Sequence, residues 1–530
     1  MSYGTTSTQS PPSAIPIGAP IRSRRASIFD AGGPNSISEF VGSYSRMQSH
    51  MQNLIVPQDE AASHSPRLSF DDNAPSIFPS YGAISDENSI FNDANSVFND
   101  ASIMSGSLVP GDLEDQLLSR NRLYSSNSRI TGKGDDGTLI IGRSTAPQTI
   151  FNSINILIGV GLYSLSYGFK YSGLVYGVLL LALCGVVTNY SALLIGRCLK
   201  SNSNLFSYGD IARHCYGDLA FIGCVISFSL DLIGAAVALI ILFSDSFHTF
   251  YPNISSFTFS IIYCFIILGL SLLPLNILSN LSFVGIVCTS GTVLVCIIAG
   301  FSKPSGQGSL LSPSEMFLWP EEYKYLLVSL GIFLALFGGH AVFPELYRDM
   351  RHPQKFGKSI TIAFSFTITL DMTAALIGYI MFGNDVAEIL TNSIMKAEGY
   401  ASWIPTTLCL FLGLVPLTKG PLVIRPVSTV LDQYFNVHTD PRPHNPIKIM
   451  DKAIIIFIAF LIANLCTSFA QVMAVMGSLI CFTICITLPF LFYYKMFYDE
   501  LSHFKRLFFE ISIGISLVLT VAGTYCALVY

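Results

Sequence analysis

The chain has 530 residues, of which 51% are apolar and 12% charged, about half the charged share of an ordinary soluble domain. A net charge of −5, with the cations sorted by loop instead of gathered on one face, excludes the basic field that nucleic-acid binding needs. The apolar content is unevenly spread: residues 1–147 contain no long apolar run, so the remainder has the composition of a membrane protein.

Residues 1–147 are rich in Ser, Asn, Pro and Gly. Their apolar residues are too scattered to offset chain entropy, which predicts a disordered cytoplasmic tail. The tail holds a short repeat, Asn88-Ser89-Ile90-Phe91-Asn92-Asp93-Ala94 followed by Asn95-Ser96-Val97-Phe98-Asn99-Asp100-Ala101. Asn, Asp and Ser disfavour a helical heptad, so the repeat reads as a linear-motif array. In Arg24-Arg25-Ala26-Ser27 two cations precede a serine, the pattern a basic-directed kinase grips, which marks Ser27 as a phosphorylation candidate and the tail as regulatory. A solvated leader that only delays insertion is the alternative reading.

From Gln148 onward, apolar stretches near the ~20 residues needed to cross hydrocarbon recur with polar punctuation. Eleven spans are expected, at 148–168, 174–197, 219–243, 257–273, 279–301, 324–344, 359–382, 402–424, 453–470, 472–494 and 508–529. The first begins too late for a cleavable signal peptide and should itself direct insertion. The tail and the loops on its side carry 24 Lys/Arg against 4 on the other side. The positive-inside bias therefore puts the N-terminus in the cytoplasm and, with an odd span number, the C-terminus in a lumen or outside the cell. Asn253-Ile254-Ser255 then lies in a lumenal loop as a glycosylation candidate at Asn253.

Nearly all of the twelve cysteines lie inside apolar runs, which implies no disulfide framework. Cys481 and Cys485 are one turn apart but lack a nearby His or acidic partner in sequence, so no metal is expected. Neither a cofactor nor an enzyme's nucleophile-and-base set emerges.

Two spans break helix rules near their middles, span 1 at Ile158-Gly159-Val160-Gly161 and span 6 at Phe337-Gly338-Gly339-His340 with Pro344 following. Paired glycines weaken a helix and turn backbone groups toward a cavity, which is tolerated at membrane depth only where protein or water receives them. Breaks five spans apart fall at equivalent places in an inverted five-span repeat, where a transport site sits. Close helix packing through small residues also accounts for either break taken alone. Few charges lie inside spans, namely Asp231, Asp371 and Lys419, with His340 at the span 6 break. Each costs on the order of 2.5 to 3.5 kcal/mol on insertion scales and needs a partner or water. They are candidates for carrying a proton, with an Asp371–Lys419 structural pair as the alternative.

Taken together, Gln148-Thr149-Ile150-Phe151-Asn152-Ser153-Ile154-Asn155 running into the span 1 glycines, Leu230-Asp231-Leu232-Ile233-Gly234, Leu278-Ser279-Asn280, Gly338-Gly339-His340-Ala341-Val342-Phe343-Pro344, Asp349-Met350-Arg351-His352-Pro353 and Lys419-Gly420-Pro421 resemble the amino acid/auxin permeases, and specifically their fungal vacuolar amino-acid transporter branch. The resemblance covers about residues 147–500. It implies an all-α polytopic membrane protein of eleven helices, a five-plus-five inverted repeat of the LeuT-like kind plus one extra helix, occupying 148–530. It also implies proton-coupled movement of amino acids across a vacuolar membrane, most simply antiport of neutral amino acids into the vacuole. A proton-symport exporter and an amino-acid sensor remain alternatives. The partners implied are amino acids, protons and the lipid bilayer, with a kinase on the tail.

On the same resemblance the substrate carboxylate would meet the amides of Gly161 and Leu162, and carbonyls near Gly159 and Gly338 would receive the α-amino group. Ser153, Asn155, Gly339 and His340 complete the expected substrate site. Lys419 would stand where the sodium-coupled relatives hold their ion, with Asp231, His340 and Asp371 as competing proton carriers. The chain departs from the family after Gly161, where Leu162-Tyr163-Ser164-Leu165-Ser166 replaces the usual Leu-Leu-Ala-Leu-Pro and puts a phenol beside the expected pocket.

Overall fold

The computed structural model describes residues 37–53, 130–133, 139–434 and 446–529. Ser27 and the repeat at 88–101 lie outside the described residues. The described chain is helical apart from one antiparallel hairpin, Ile130–Lys133 with Leu139–Ile141. Eight helices are long and apolar enough to cross a membrane. Outward-facing side chains such as Leu183, Phe265 and Val521 stand largely exposed, the reverse of a soluble surface and what a hydrocarbon surround requires. The protein is a multi-pass membrane protein.

Three of the eleven expected spans fall outside that set of eight, each for a local reason. Span 1 is interrupted: its first helix, Ala146–Leu157, has only 12 residues. Span 4 is Ser256–Ser271, 16 residues, or ~24 Å of helix at ~1.5 Å per residue, short of ~30 Å of hydrocarbon. Span 9 is Pro446–Leu465, 20 residues, with Lys448, Asp451 and Lys452 in its first two turns.

Between spans 1 and 2 the chain turns at Gly173, whose φ of +71° is in the left-handed region. A Cβ there would lie 2.6 Å from the Trp319 backbone, so only glycine lets the following amides of Leu174 and Val175 reach the carbonyls of Phe317 and Leu318 at 3.0 and 3.1 Å. The border between spans 9 and 10 falls at 466–468 instead of Gln471, because Ser468 caps the new helix by accepting the Gln471 amide at 3.1 Å.

Span 2 packs on spans 6 and 7, and span 8 on spans 3 and 5. Spans 6 and 10 meet backbone to backbone: a Cβ on Gly477 would lie 1.7 Å from the Gly331 carbonyl oxygen. At this contact span 10 widens into a π-helix over Met476–Thr487.

One helix lies inside the stretch expected to be disordered, and corrects that expectation for residues 37–53. Ile37–Asn53 forms 17 residues of helix packed on spans 1, 5 and 8 and the end of span 6. Its buried stripe is Ser43, Tyr44, Met47 and Gln48, half of it polar, which is why composition alone conceals it.

Candidate functional site

Both expected helix breaks are present. The first helix of span 1 ends at Leu157, and Ile158 turns out of it with ψ 81°. Gly159 is extended, and the chain resumes as a 3-10 turn over Val160–Ser164. Thr145 and Gln148 form a capping box at the start of the first helix, fixing where that helix begins. In span 6 the helix Tyr325–Leu334 gives way to 3-10 turns on either side of Gly338 and Gly339 before Phe343–Asp349 restarts with Pro344 in its first turn. The two breaks touch, since a Cβ on Gly159 would stand 3.9 Å from the Leu336 carbonyl oxygen.

Beside them lies a cavity of about 190 Å³, below the ~300–1,000 Å³ of pockets for drug-sized ligands and of the order an amino acid needs. Asn155, Gly159, Gly161, Gly338, Asp231 and Lys419 all line it. The Lys419 ammonium donates to the Ile158 carbonyl at the span 1 break. This closes two deficits at once, a cation within the membrane and a carbonyl that the broken helix leaves without an internal partner. Among the described residues Asp371 and Lys419 form no ion pair; Lys419 uses the Ile158 carbonyl instead. Cys481 Sγ donates to Asp231 Oδ1 at 3.9 Å, and Asn155 Nδ2 donates to Ser282 Oγ at 3.0 Å.

The remaining expected residues stand elsewhere. Ser153 turns its hydroxyl to the Thr149 carbonyl at 2.7 Å within its own helix. Leu162 is buried and, with Tyr163, lines a separate small void bounded by Thr292 and Cys296. Gly339 faces Ile156 and Phe343. His340 is fully buried with Nε2 2.8 Å from Ser191 Oγ and 2.9 Å from the Thr188 carbonyl, and it packs on the rings of Phe343 and Phe364. Its ring is thus held by span 2. Asp371 is buried in span 7 with no hydrogen-bond partner for either oxygen among the described residues. Asn253 is exposed in the loop before span 4. Among the described residues no His/Cys/Asp/Glu cluster has the form of a metal site.

Among the cavity residues that escaped sequence reading, two come from outside the expected spans. Tyr44 and Gln48, on the tail helix, line the same cavity as Lys419, and Gln48 Nε2 donates to the Tyr44 hydroxyl at 3.0 Å. Burial raises the Tyr44 phenol above its usual pKa. A periodicity of four between Phe40, Tyr44 and Gln48, with Met47 alongside, was the available signal.

A sequence model of the family described as "Transmembrane amino acid transporter protein" matches residues 142–529. The chain is similar to amino acid transporter AVT1E of Arabidopsis thaliana, at 27% identity over 76% of this chain and 77% of that protein. It is similar to AVT1D of the same plant at 28% identity, over 72% of this chain and 69% of the relative. With AVT1J the identity is 26%, over 77% of this chain and 98% of the relative.

Proposed function

The chain belongs to the transmembrane amino acid transporter protein family, the amino acid/auxin permeases, and from that premise we propose that it is a proton-coupled secondary transporter moving neutral amino acids into the vacuole. The N-terminus faces the cytosol and the C-terminus the lumen. Eleven helices form the five-plus-five inverted repeat with one helix added, and protons leave the lumen as amino acid enters it.

The observation that carries the reading is the meeting of the two helix breaks at an amino-acid-sized cavity, with Lys419 on the exposed carbonyl of Ile158. Unwound carbonyls at such a break receive cations, and the half-helix that starts beyond it offers amides and partial positive charge to a carboxylate. The substrate carboxylate meets the amides at Gly161, and its α-amino group meets carbonyls near Gly159 and Gly338. The Lys419 ammonium competes for the same carbonyl set, so substrate arrival favours proton loss from Lys419 and reprotonation favours substrate release. Asp231, on the cavity wall with Cys481, is the second proton carrier. His340, held by Ser191 and Thr188, orients the span 6 break.

The test is uptake of a labelled amino-acid mixture into acidified vesicles bearing the protein, with and without a protonophore. Uptake that the protonophore abolishes is the expected result. Faster loss from preloaded vesicles, with no uptake, would reverse the direction to export, and silence in both assays would overturn transport in favour of sensing.

A further inference from the structure

We infer that the cytosolic mouth of the central cavity is a binding site for the chain's own helix Ile37–Asn53, and that this helix must leave for transport to proceed. The inference rests on the reading of that cavity as the substrate route.

The helix is held by a built set of contacts. Met47 and Ser43 are completely buried, at 0% exposure. Ser43 Oγ lies 2.6 Å from Ser144 Oγ and accepts from Asn152 Nδ2 at 2.9 Å. Arg46 pairs with Asp349 at 3.5 Å and donates to Ser144 Oγ at 3.3 Å, while the Ser144 hydroxyl donates to Asp349. Phe40 meets the Phe151 ring edge-on at 5.3 Å between centroids. The recognition chemistry is therefore that of an amphipathic helix in a groove: aromatic and thioether anchors, one cation, and small hydroxyls at the closest approach.

Two features make the bound helix an obstacle. It touches spans 1 and 5 from one half of the expected repeat and spans 6 and 8 from the other. Alternating access requires one half to rock against the other, and a helix pinned to both opposes that motion. It also places Tyr44 and Gln48 on the cavity wall, where they stand in the way of a substrate entering beside Lys419 from the cytosolic side. Asn152 and Ser144, which grip the helix, adjoin the first helix of span 1, so docking is coupled to the element that carries the break.

The test uses the full chain in vesicles with the cytosolic face outward. Met47→Asp puts a carboxylate on the most deeply buried position of the helix and none in the spans. It should raise initial amino-acid flux by about tenfold, the population shift that corresponds to ~1.4 kcal/mol. In a second variant, Ser43→Cys with Ser144→Cys, oxidation should form the linking disulfide, seen as a joined peptide by mass spectrometry, and stop flux, with reductant restoring it. Wild-type protein under the same oxidant is the control. Flux unchanged by Met47→Asp, full flux in the disulfide-linked form, or no disulfide in the membrane would each overturn the inference. Flux absent from every form, reduced or not, would overturn the transport reading itself, and the disulfide yield would separate that failure from a helix that never docks.

Discussion

Lys419 illustrates what a single residue discloses and conceals. A lysine inside an apolar span stands out in sequence because it needs a partner. The partner, the Ile158 carbonyl 261 positions away, does not, since it is a backbone atom exposed only because Gly159 and Gly161 break the helix. Replacing Lys419 with Met should abolish pH-driven flux while the protein stays folded in the membrane, measured as protonophore-sensitive uptake beside membrane abundance; coupling that survives would remove Lys419 from the mechanism. Arg in its place stays charged at all working pH values, so Lys419→Arg should also lose proton-driven flux. His340 shows the opposite case. Sequence sets it beside the break, yet its bonds to Ser191 and Thr188 depend on which face of span 2 arrives there. Ser191→Ala should therefore act through ring orientation, lowering thermal stability by about 1 kcal/mol.

At the level of elements, glycine pairs made both breaks legible, because glycine is the residue that weakens a helix wherever it occurs. The contact between spans 6 and 10 was less so: Gly331 and Gly477 are ordinary small residues until folding presses the carbonyl of one against the Cα of the other. Gly477→Val places side-chain atoms inside that contact and should cost about 1–3 kcal/mol or more, read as a lower melting temperature of the detergent-solubilised protein; an unchanged melt would mean the spans can part. The π-helix of span 10 opens at Met476-Gly477, with Met476 against Gly234, and a lone Gly477 in the sequence does not distinguish such a widening from ordinary helix packing. The tail helix was hidden by composition: Ser43 and Gln48 score as polar, yet both are buried, Ser43 through partners about a hundred residues further along and Gln48 through Tyr44 on its own helix.

For the whole molecule, the sorting of cations fixes an expected orientation before any coordinates are considered, because loop charge acts during insertion and requires no knowledge of packing. With Asn253 exposed in a loop that the charge bias expects on the opposite side, Asn253→Gln should remove a glycan-dependent mobility shift from protein made in a eukaryotic host, and loss of the shift only on cytosolic enzyme treatment of intact vesicles would invert the topology. The cavity's size has a further consequence. About 190 Å³ is well below the ~300–1,000 Å³ of pockets for drug-sized ligands, so an amino acid that fills the cavity displaces the water it held. Backbone groups at the breaks can replace the waters around an α-carboxylate and α-amino group, while a side chain meets apolar walls at Phe228, Leu232 and Leu239 with Asp231 and Lys419 as the charged lining residues. On the transport reading proposed above, selection among amino acids becomes a matter of dehydration, of how much water a side chain surrenders at the entrance.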